Sequence, residues 1–268
     1  MAKALAGHVQ VDARRWQDGS HLDVQQNIAA EVPVSLVYNG VSYAVMMATP
    51  ADLEDFGLGF SLSEGIIGSP AEMEGLKVLK MHRGLMVAMD IPAARYAKIA
   101  DRARHLAGRT GCGLCGIESL EAAMPALAPL AVTATVSHRA IYKAFDDLYN
   151  LQPEKQATGA VHCAAFADFK GNIELVREDV GRHNALDKLI GAAVKAKTDP
   201  ASGFVLITSR CSYEMVQKTV AFGCPVLVAI SAPTTLAVQM AKDANLALIA
   251  QARHKSFIAF TYPERVVF

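Results

Sequence analysis

The sequence predicts a mixed α/β fold, α+β overall, in which a smaller strand-rich N-terminal domain precedes a C-terminal domain built on a helix-covered sheet. Three observations carry this. Hairpin signals dominate the N-terminal third. Downstream, short continuous apolar runs alternate with helical patterns, as in a sheet buried on both faces. Between the two lies a Pro- and Ala-rich passage, 122–133, whose Pro125 and Pro129 interrupt any long helix. The domains are accordingly placed at 1–130 and 131–268.

In chain order, apolar and β-branched residues fill 32–38 and 41–47 around Asn39-Gly40, a strong short-range hairpin signal. Thr49 is placed as the N-cap, and Pro50 at the first position, of a helix running towards Glu64. A second hairpin pairs 77–81 with 85–90 around Arg83-Gly84, and a helix follows over 93–107. In the second part, helices are expected at 138–151, 181–195, 212–222 and 234–243. Strands are expected at 161–168, 173–178, 204–208, 226–230, 246–251 and 257–262. Ligands of such sheets bind beyond the carboxyl ends of the strands.

Composition excludes several function classes. Across 268 residues, 26 Lys and Arg balance 26 Asp and Glu, which argues against a dedicated nucleic-acid binder and against a polybasic membrane-surface protein. Hydrophobic residues make up 52% and charged residues 19%, below the roughly 25% charged of a typical soluble domain, so the chain is expected to be folded rather than disordered. The five cysteines are not a disulfide framework, and the N-terminus lacks the apolar core of a signal peptide. The charge-free run between Lys218 and Lys242 has the length of a membrane span, but Gly223, Pro225 and Pro233 divide it into a helix end, a strand and a new helix. The expectation is a cytoplasmic protein in a reducing compartment, with no membrane partner and no resident metal.

The sharpest motif is Gly111-Cys112-Gly113-Leu114-Cys115-Gly116. C-x-x-C spacing brings two thiols within reach of one another, which serves half a zinc site, a redox dithiol or a persulfide carrier. Zinc needs further ligands, and there is no second C-x-x-C; the H-x-E and P-C-x-x-C elements of a zinc deaminase are also absent. A redox dithiol of the thioredoxin type sits near a βαβ pattern, whereas this loop follows a helical one. Upstream, Arg95, Lys98, Arg102, Arg104 and Arg109 stand against Asp101 alone, and a helix beginning near 117 would add its positive end. Both favour a thiolate and point to a nucleophilic, sulfur-carrying cysteine. Cys163, Cys211 and Cys224 read as bystanders.

A second unusual stretch is Glu178-Asp179-Val180-Gly181-Arg182-His183-Asn184-Ala185-Leu186-Asp187-Lys188. Leu186, Leu189, Ile190 and Ala193 follow helical spacing, so Arg182 and His183 fall in the first turn, where cations oppose the macrodipole unless an anion binds there. The alternative is a surface turn in which His183 pairs with Asp187. Thr208-Ser209-Arg210-Cys211-Ser212 and Ser231-Ala232-Pro233-Thr234-Thr235 are further strand-to-helix junctions, and Thr158-Gly159-Ala160-Val161-His162 adds to them. Together they could line a phosphate-binding pocket, although neither a P-loop nor G-x-G-x-x-G occurs.

These motifs converge on a resemblance. EVPVSLVYNG, MMATPADLEDFGLGFSLSEGII, CGLCG, EDVGRHNALDK, SRCSYEM with Lys218, and SAPTTLA together resemble the formate dehydrogenase accessory sulfurtransferases, the FdhD/NarQ family, from about Glu31 to Val266. The resemblance implies a C-terminal domain similar to the cytidine-deaminase fold without its zinc site, and a homodimer. It implies a sulfur carrier that accepts persulfide sulfur from a cysteine desulfurase. The sulfur acceptor would be the molybdenum or tungsten bis(molybdopterin guanine dinucleotide) cofactor, before its insertion into the catalytic subunit of formate dehydrogenase. A cofactor chaperone that transfers no sulfur is the alternative. Cys112 matches the family's persulfide cysteine and Cys115 the second motif cysteine. The family's cofactor segment aligns with Gln251, Ala252, Arg253, His254, Lys255 and Ser256, with Gln251 where an aromatic residue is usual and His254 where glycine is usual. Arg182, His183 and Arg210 are the expected phosphate contacts.

Overall fold

The computed structural model describes residues 7–106 and 127–268. Cys112 and Cys115, Arg109 and the helix expected near 117 lie outside the described residues.

The chain opens with β1 (His8–Gln17) and β2 (Ser20–Ala29), a two-stranded ribbon. β3 (Val32–Tyr38) and β4 (Val41–Ala48) then form the expected hairpin, with Asn39 and Gly40 both left-handed at φ 48° and 81°, as a type I′ turn requires. After α1 (Leu53–Ser63) come β5 (Gly75–Met81) and β6 (Gly84–Asp90), completing a sheet of order β4-β3-β6-β5. Val34, Leu36, Leu85, Val87 and Met89 point to one face of this sheet and pack with Phe56 and Phe60 of α1. α2 (Ala93–Leu106) adds Ile99 to the same core.

The start of α1 departs from expectation. The helix begins at Leu53 with Asp52 at the cap position in a left-handed conformation. Thr49 does not cap it: Thr49 is buried, its N–H donates to Asp179 Oδ2 at 3.0 Å, and its hydroxyl accepts from the Val180 N–H at 3.1 Å. A tertiary contact has claimed the group that sequence assigns to local capping.

The second sheet starts after β7 (Val136–Ser137), α3 (His138–Leu148) and the short α4 (Pro153–Thr158). α3 stops three residues earlier than expected, ending in a 3₁₀ turn over Tyr149–Leu151. Then follow β8 (His162–Asp168), β9 (Ile173–Asp179), α5 (Arg182–Lys195), β10 (Gly203–Ile207), α6 (Tyr213–Phe222), β11 (Val226–Ala229), α7 (Thr235–Asp243), β12 (Ala247–Arg253), β13 (Ser256–Ala259) and β14 (Val266–Val267). The sheet order is β13-β12-β11-β10-β8-β9. β10, β11 and β12 are mutually parallel; β8 runs against β10, and β9 against β8. β9 to β12 therefore share one direction. The strands are buried on both faces: Phe166, Val205 and Leu227 meet α5, α6 and α7, while Phe204, Leu206 and Val228 meet Ile141 and Leu148 of α3. No described helix is long and apolar enough to cross a membrane.

The two sheets are joined by α1 and α5. A Cβ on Gly59 would lie 1.7 Å from the Asp187 carbonyl oxygen, and one on Gly191 would lie 2.0 Å from that of Asp55, so here backbone packs directly on backbone. Buried polar groups flank the crossing. Lys188 Nζ lies 2.6 Å from Asp179 Oδ2, with both side chains fully enclosed, and donates to the Thr49 carbonyl. Asn184 donates to Asp179 and to the Met47 carbonyl. On the other side Lys218 binds Asp187, Glu64 and Ser63. Burial tends to lower the Lys218 pKa, but Asp187 and Glu64 overcome it and hold the ammonium above its ordinary range. Burial raises the Asp187 carboxyl, against the pull of Lys218.

Substituting Gly59→Ala or Gly191→Ala is expected to cost about 3 kcal/mol or more, because neither backbone can yield. Lys188→Met, which leaves Asp179 buried without its cation, is expected to cost roughly 3–5 kcal/mol. Urea denaturation would read both; midpoints within error of the wild type would show that this joint does not hold the sheets together.

Candidate functional site

Because β9 to β12 run the same way, their carboxyl ends meet at one edge of the sheet. The register puts His162, at the start of the opposed β8, beside Asp179 at the end of β9, and Ala164 beside Ile207 at the end of β10. This edge gathers four sequence-predicted groups: Arg182 and His183 on the first turn of α5, Arg210 after β10, the Ser231 junction after β11, and the Gln251–Ser256 segment at the end of β12. That last segment is a β-hairpin turn with a bulge; Gln251 and Lys255 are left-handed at φ 53° and 58°. Its backbone is tied to the neighbouring junction, since Gln251 N–H donates to the Ser231 carbonyl and Arg253 Nη1 donates to the Ile230 carbonyl at 2.6 Å. Ala252 is buried, whereas Gln251, Arg253, His254, Lys255 and Ser256 are exposed. His254 pairs with Asp146 of α3 at 2.9 Å. Arg210 is exposed, and the adjoining Cys211 fastens its junction to the next by accepting from Thr234 and donating to Ala232.

The α5 turn is the most unusual part of the edge. Arg182 Nε and His183 Nε2 are both buried, and neither has a hydrogen-bond partner among the described residues. His183 does not pair with Asp187; that carboxylate, one turn further along the same side of α5, is taken by Lys218 and Ser63. Instead, His183 Nε2 lies 3.5 Å from Glu214 Oε2, close enough for attraction but not aligned for a hydrogen bond. Burial pushes the Glu214 carboxyl up, yet His183 and the Ser212 hydroxyl, 2.6 Å away, outweigh burial and bring it to about 2.

On the α3 side the same edge opens into a cleft of ≈ 570 Å³, with Phe145, Tyr149, Lys155, His162, Thr208 and Ile230 in its wall. Burial lowers the His162 pKa, and the cations of Arg182 and Lys155 lower it further. The site is thus locally electropositive in a chain of zero net charge. An apolar wall beside donors and cations suits a ligand with a flat ring and phosphate groups. Lys155 and Glu214 were not legible as site residues. The Ser212-x-Glu214 spacing at a helix start was the available signal for Glu214.

The three described cysteines offer no reactive thiolate. Burial raises all three: Cys163 far above its ordinary value, Cys211 and Cys224 to about 12. Of the basic set that precedes the cysteine motif, Arg95 is committed to Glu72, with Nε at 2.9 Å from a carboxylate oxygen.

The FdhD/NarQ family model matches residues 29–267 of the chain. The sulfur carrier protein FdhD of Xanthomonas euvesicatoria pv. vesicatoria is 48% identical over 260 residues, covering 97% of this chain and 92% of that protein. The sulfur carrier protein FdhD of Cupriavidus necator is 49% identical over 252 residues, 94% and 88% of the two chains. Among solved structures, a protein assigned as a formate dehydrogenase accessory protein, from Desulfotalea psychrophila, superposes with a TM-score of 0.76 at 23% identity, covering 98% of this chain and all of that one. It establishes the likeness of fold.

Two predictions follow from the electrostatics. A carboxylate held at about 2, against an ordinary 4.5, stabilises the fold fully above about pH 4.5 and loses that contribution as pH falls towards 2. Glu214→Gln is therefore expected to flatten the acid side of the stability profile across that window; an unaltered acid limb would refute the pairing. Alkylation of the native protein near neutral pH is expected to spare Cys163, Cys211 and Cys224 and to reach them only after denaturation. Peptide mapping by mass spectrometry reads this, and rapid native labelling of any of the three would contradict their burial.

Proposed function

Because the chain belongs to the FdhD/NarQ family, we propose that it carries persulfide sulfur from a cysteine desulfurase to the molybdenum or tungsten bis(molybdopterin guanine dinucleotide) cofactor that formate dehydrogenase requires. The catalytic subunit of that dehydrogenase is the client, the working form is a cytoplasmic homodimer, and the C-terminal domain is a cytidine-deaminase-like module without zinc. What carries the reading is near-full-length similarity to proteins named sulfur carriers, in a chain that holds C-x-x-C at 112–115.

The chemistry assigns a role to each thiol. Cys112 thiolate attacks the outer sulfur of the donor persulfide, forming Cys112 persulfide and releasing the donor's cysteine as thiolate. Cys115 thiolate then attacks the Cys112 sulfur; a Cys112–Cys115 disulfide forms and hydrosulfide leaves towards the acceptor. The two thiols supply the two electrons, and a cellular dithiol reduces the disulfide for the next round. The acceptor is a substrate of the carrier. Its phosphates suit Arg182, His183 and Arg210, and the buried Arg182 Nε is a donor still without a partner. Its guanine suits the cleft beside His162, and Gln251–Ser256 forms the rim. The exposed Arg253 head is partly committed to Ile230, so it serves to shape that rim as well as to add charge.

Incubation with a desulfurase and cysteine is expected to add one sulfur atom to the wild type, removable by reductant. Cys112→Ala should abolish it, and Cys115→Ala should retain the persulfide but not release hydrosulfide. Normal formate dehydrogenase maturation by the Cys112→Ala variant would favour the cofactor chaperone instead. Arg182→Ala is expected to weaken guanosine diphosphate binding about tenfold, the equivalent of ~1.4 kcal/mol. Calorimetry would test it, and unchanged affinity would remove Arg182 from the phosphate site.

A further inference from the structure

α5 and α6 meet through two charged rungs, one helical turn apart and of opposite polarity. In the inner rung Lys218 Nζ lies 2.9 Å from Asp187 Oδ1, with both side chains buried. That rung is closed and belongs to the joint. The outer rung, His183 with Glu214, belongs to the candidate site and is open. Its atoms are 3.5 Å apart, and His183 Nε2 makes no hydrogen bond among the described residues. An acid therefore stands among the cations assigned to phosphate.

The helix that carries Glu214 does not account for this placement. A first-turn acid complements the positive end of its helix even when it points to water. Glu214 is instead turned to α5, and the Ser212 hydroxyl donates to its Oε2 at 2.6 Å. Burial pushes its carboxyl up, but His183 and Ser212 bring it to about 2, so the charge persists at neutral pH. The carboxylate offsets the charge of a protonated His183 and leaves Arg182 Nε without a partner.

A ligand oxygen bonded to either ring nitrogen of His183 lies within about 8 Å of that carboxylate, no further than the Debye length at physiological ionic strength. Charge on the ligand is felt at that range. In a dinucleotide both phosphates are esterified, and each carries one negative charge. A free nucleotide ends in an unesterified phosphate, whose second ionisation falls near a pH of about 6, so at neutral pH it carries close to two.

We propose that Glu214 is a specificity-determining residue of the phosphate site, admitting a pyrophosphate esterified at both ends and turning away nucleotides that end in a free phosphate. The proposal rests on the phosphate-site reading given above and adds to it a reason why free guanine nucleotides, which offer the same base, do not occupy the site. Selectivity of this kind comes from what repels the wrong ligand as much as from what attracts the right one.

Calorimetry on the full chain tests it with two probes, guanosine diphosphate and the same molecule methylated on its terminal phosphate. The wild type is expected to bind the ester about tenfold more tightly. Glu214→Gln, checked for native circular dichroism, should tighten the diphosphate more than the ester and bring the two within about twofold. Glu214→Asp keeps the charge and should keep most of the gap. A wild type that binds the diphosphate as tightly as its ester would overturn the proposal without any variant. A gap that survives in Glu214→Gln, or one lost equally in Glu214→Asp, would also overturn it. In each of these cases weaker binding of both probes by Arg182→Ala leaves the phosphate site standing. A wild type that binds neither probe would overturn the phosphate site and the part of Glu214 in it together.

Discussion

Gly59 and Gly191 let α1 and α5 approach until backbone meets backbone, and the position of both sheets depends on that crossing. Any side chain at either glycine would force the helices apart and pull the buried groups beside them out of register. Asp179, Asn184 and Lys188 on one flank, and Asp187, Lys218 and Ser63 on the other, are satisfied only while the crossing holds. A buried ion pair adds little net stability against an apolar alternative, yet one partner alone is strongly unfavourable. These groups therefore favour one packing over its near neighbours more than they deepen the well.

The same joint sets the candidate site. α5 leaves β9 at Gly181, where Asp179 accepts from the Gly181 N–H while also holding Lys188 and Asn184. Residues 182 and 183 are thereby turned to the carboxyl edge of the sheet, while 184, 187 and 188 are turned to the joint. One unbroken polar motif, EDVGRHNALDK, is thus divided by helical periodicity between two tasks. Asp179, Asp187 and Lys188 tie the sheets together, while Arg182, its Nε unpartnered, and His183, beside Glu214, lie at the edge.

The hairpin at Asn39-Gly40, the alternating strands and helices of the second part and the reading of Cys163, Cys211 and Cys224 as bystanders were legible, since each rests on local pattern. Thr49 was misplaced because capping is a local rule and the residue is used in a contact 130 positions away. His183 and Asp187 share a helical spacing that permits a pair, but α6 brings each a partner of its own, Glu214 for His183 and Lys218 for Asp187. Lys155 carries no signal of its own and the Ser212-x-Glu214 spacing marks only a helix start; both become site residues because β8, β9 and β10 bring α4 and the start of α6 to one edge.

Sequence by itself determined the chemistry available: two thiols at C-x-x-C spacing in a glycine loop, cations at strand ends, and a family signature spread over most of the chain. It also indicated most of the strands and helices, though not the β1–β2 ribbon or α4, because hydrophobic period and turn residues act over a few positions. Tertiary structure alone decided which polar residues are mortar and which face a ligand. The reason is that burial and charge pairing depend on neighbours brought from far along the chain, and no local pattern records which neighbour arrives.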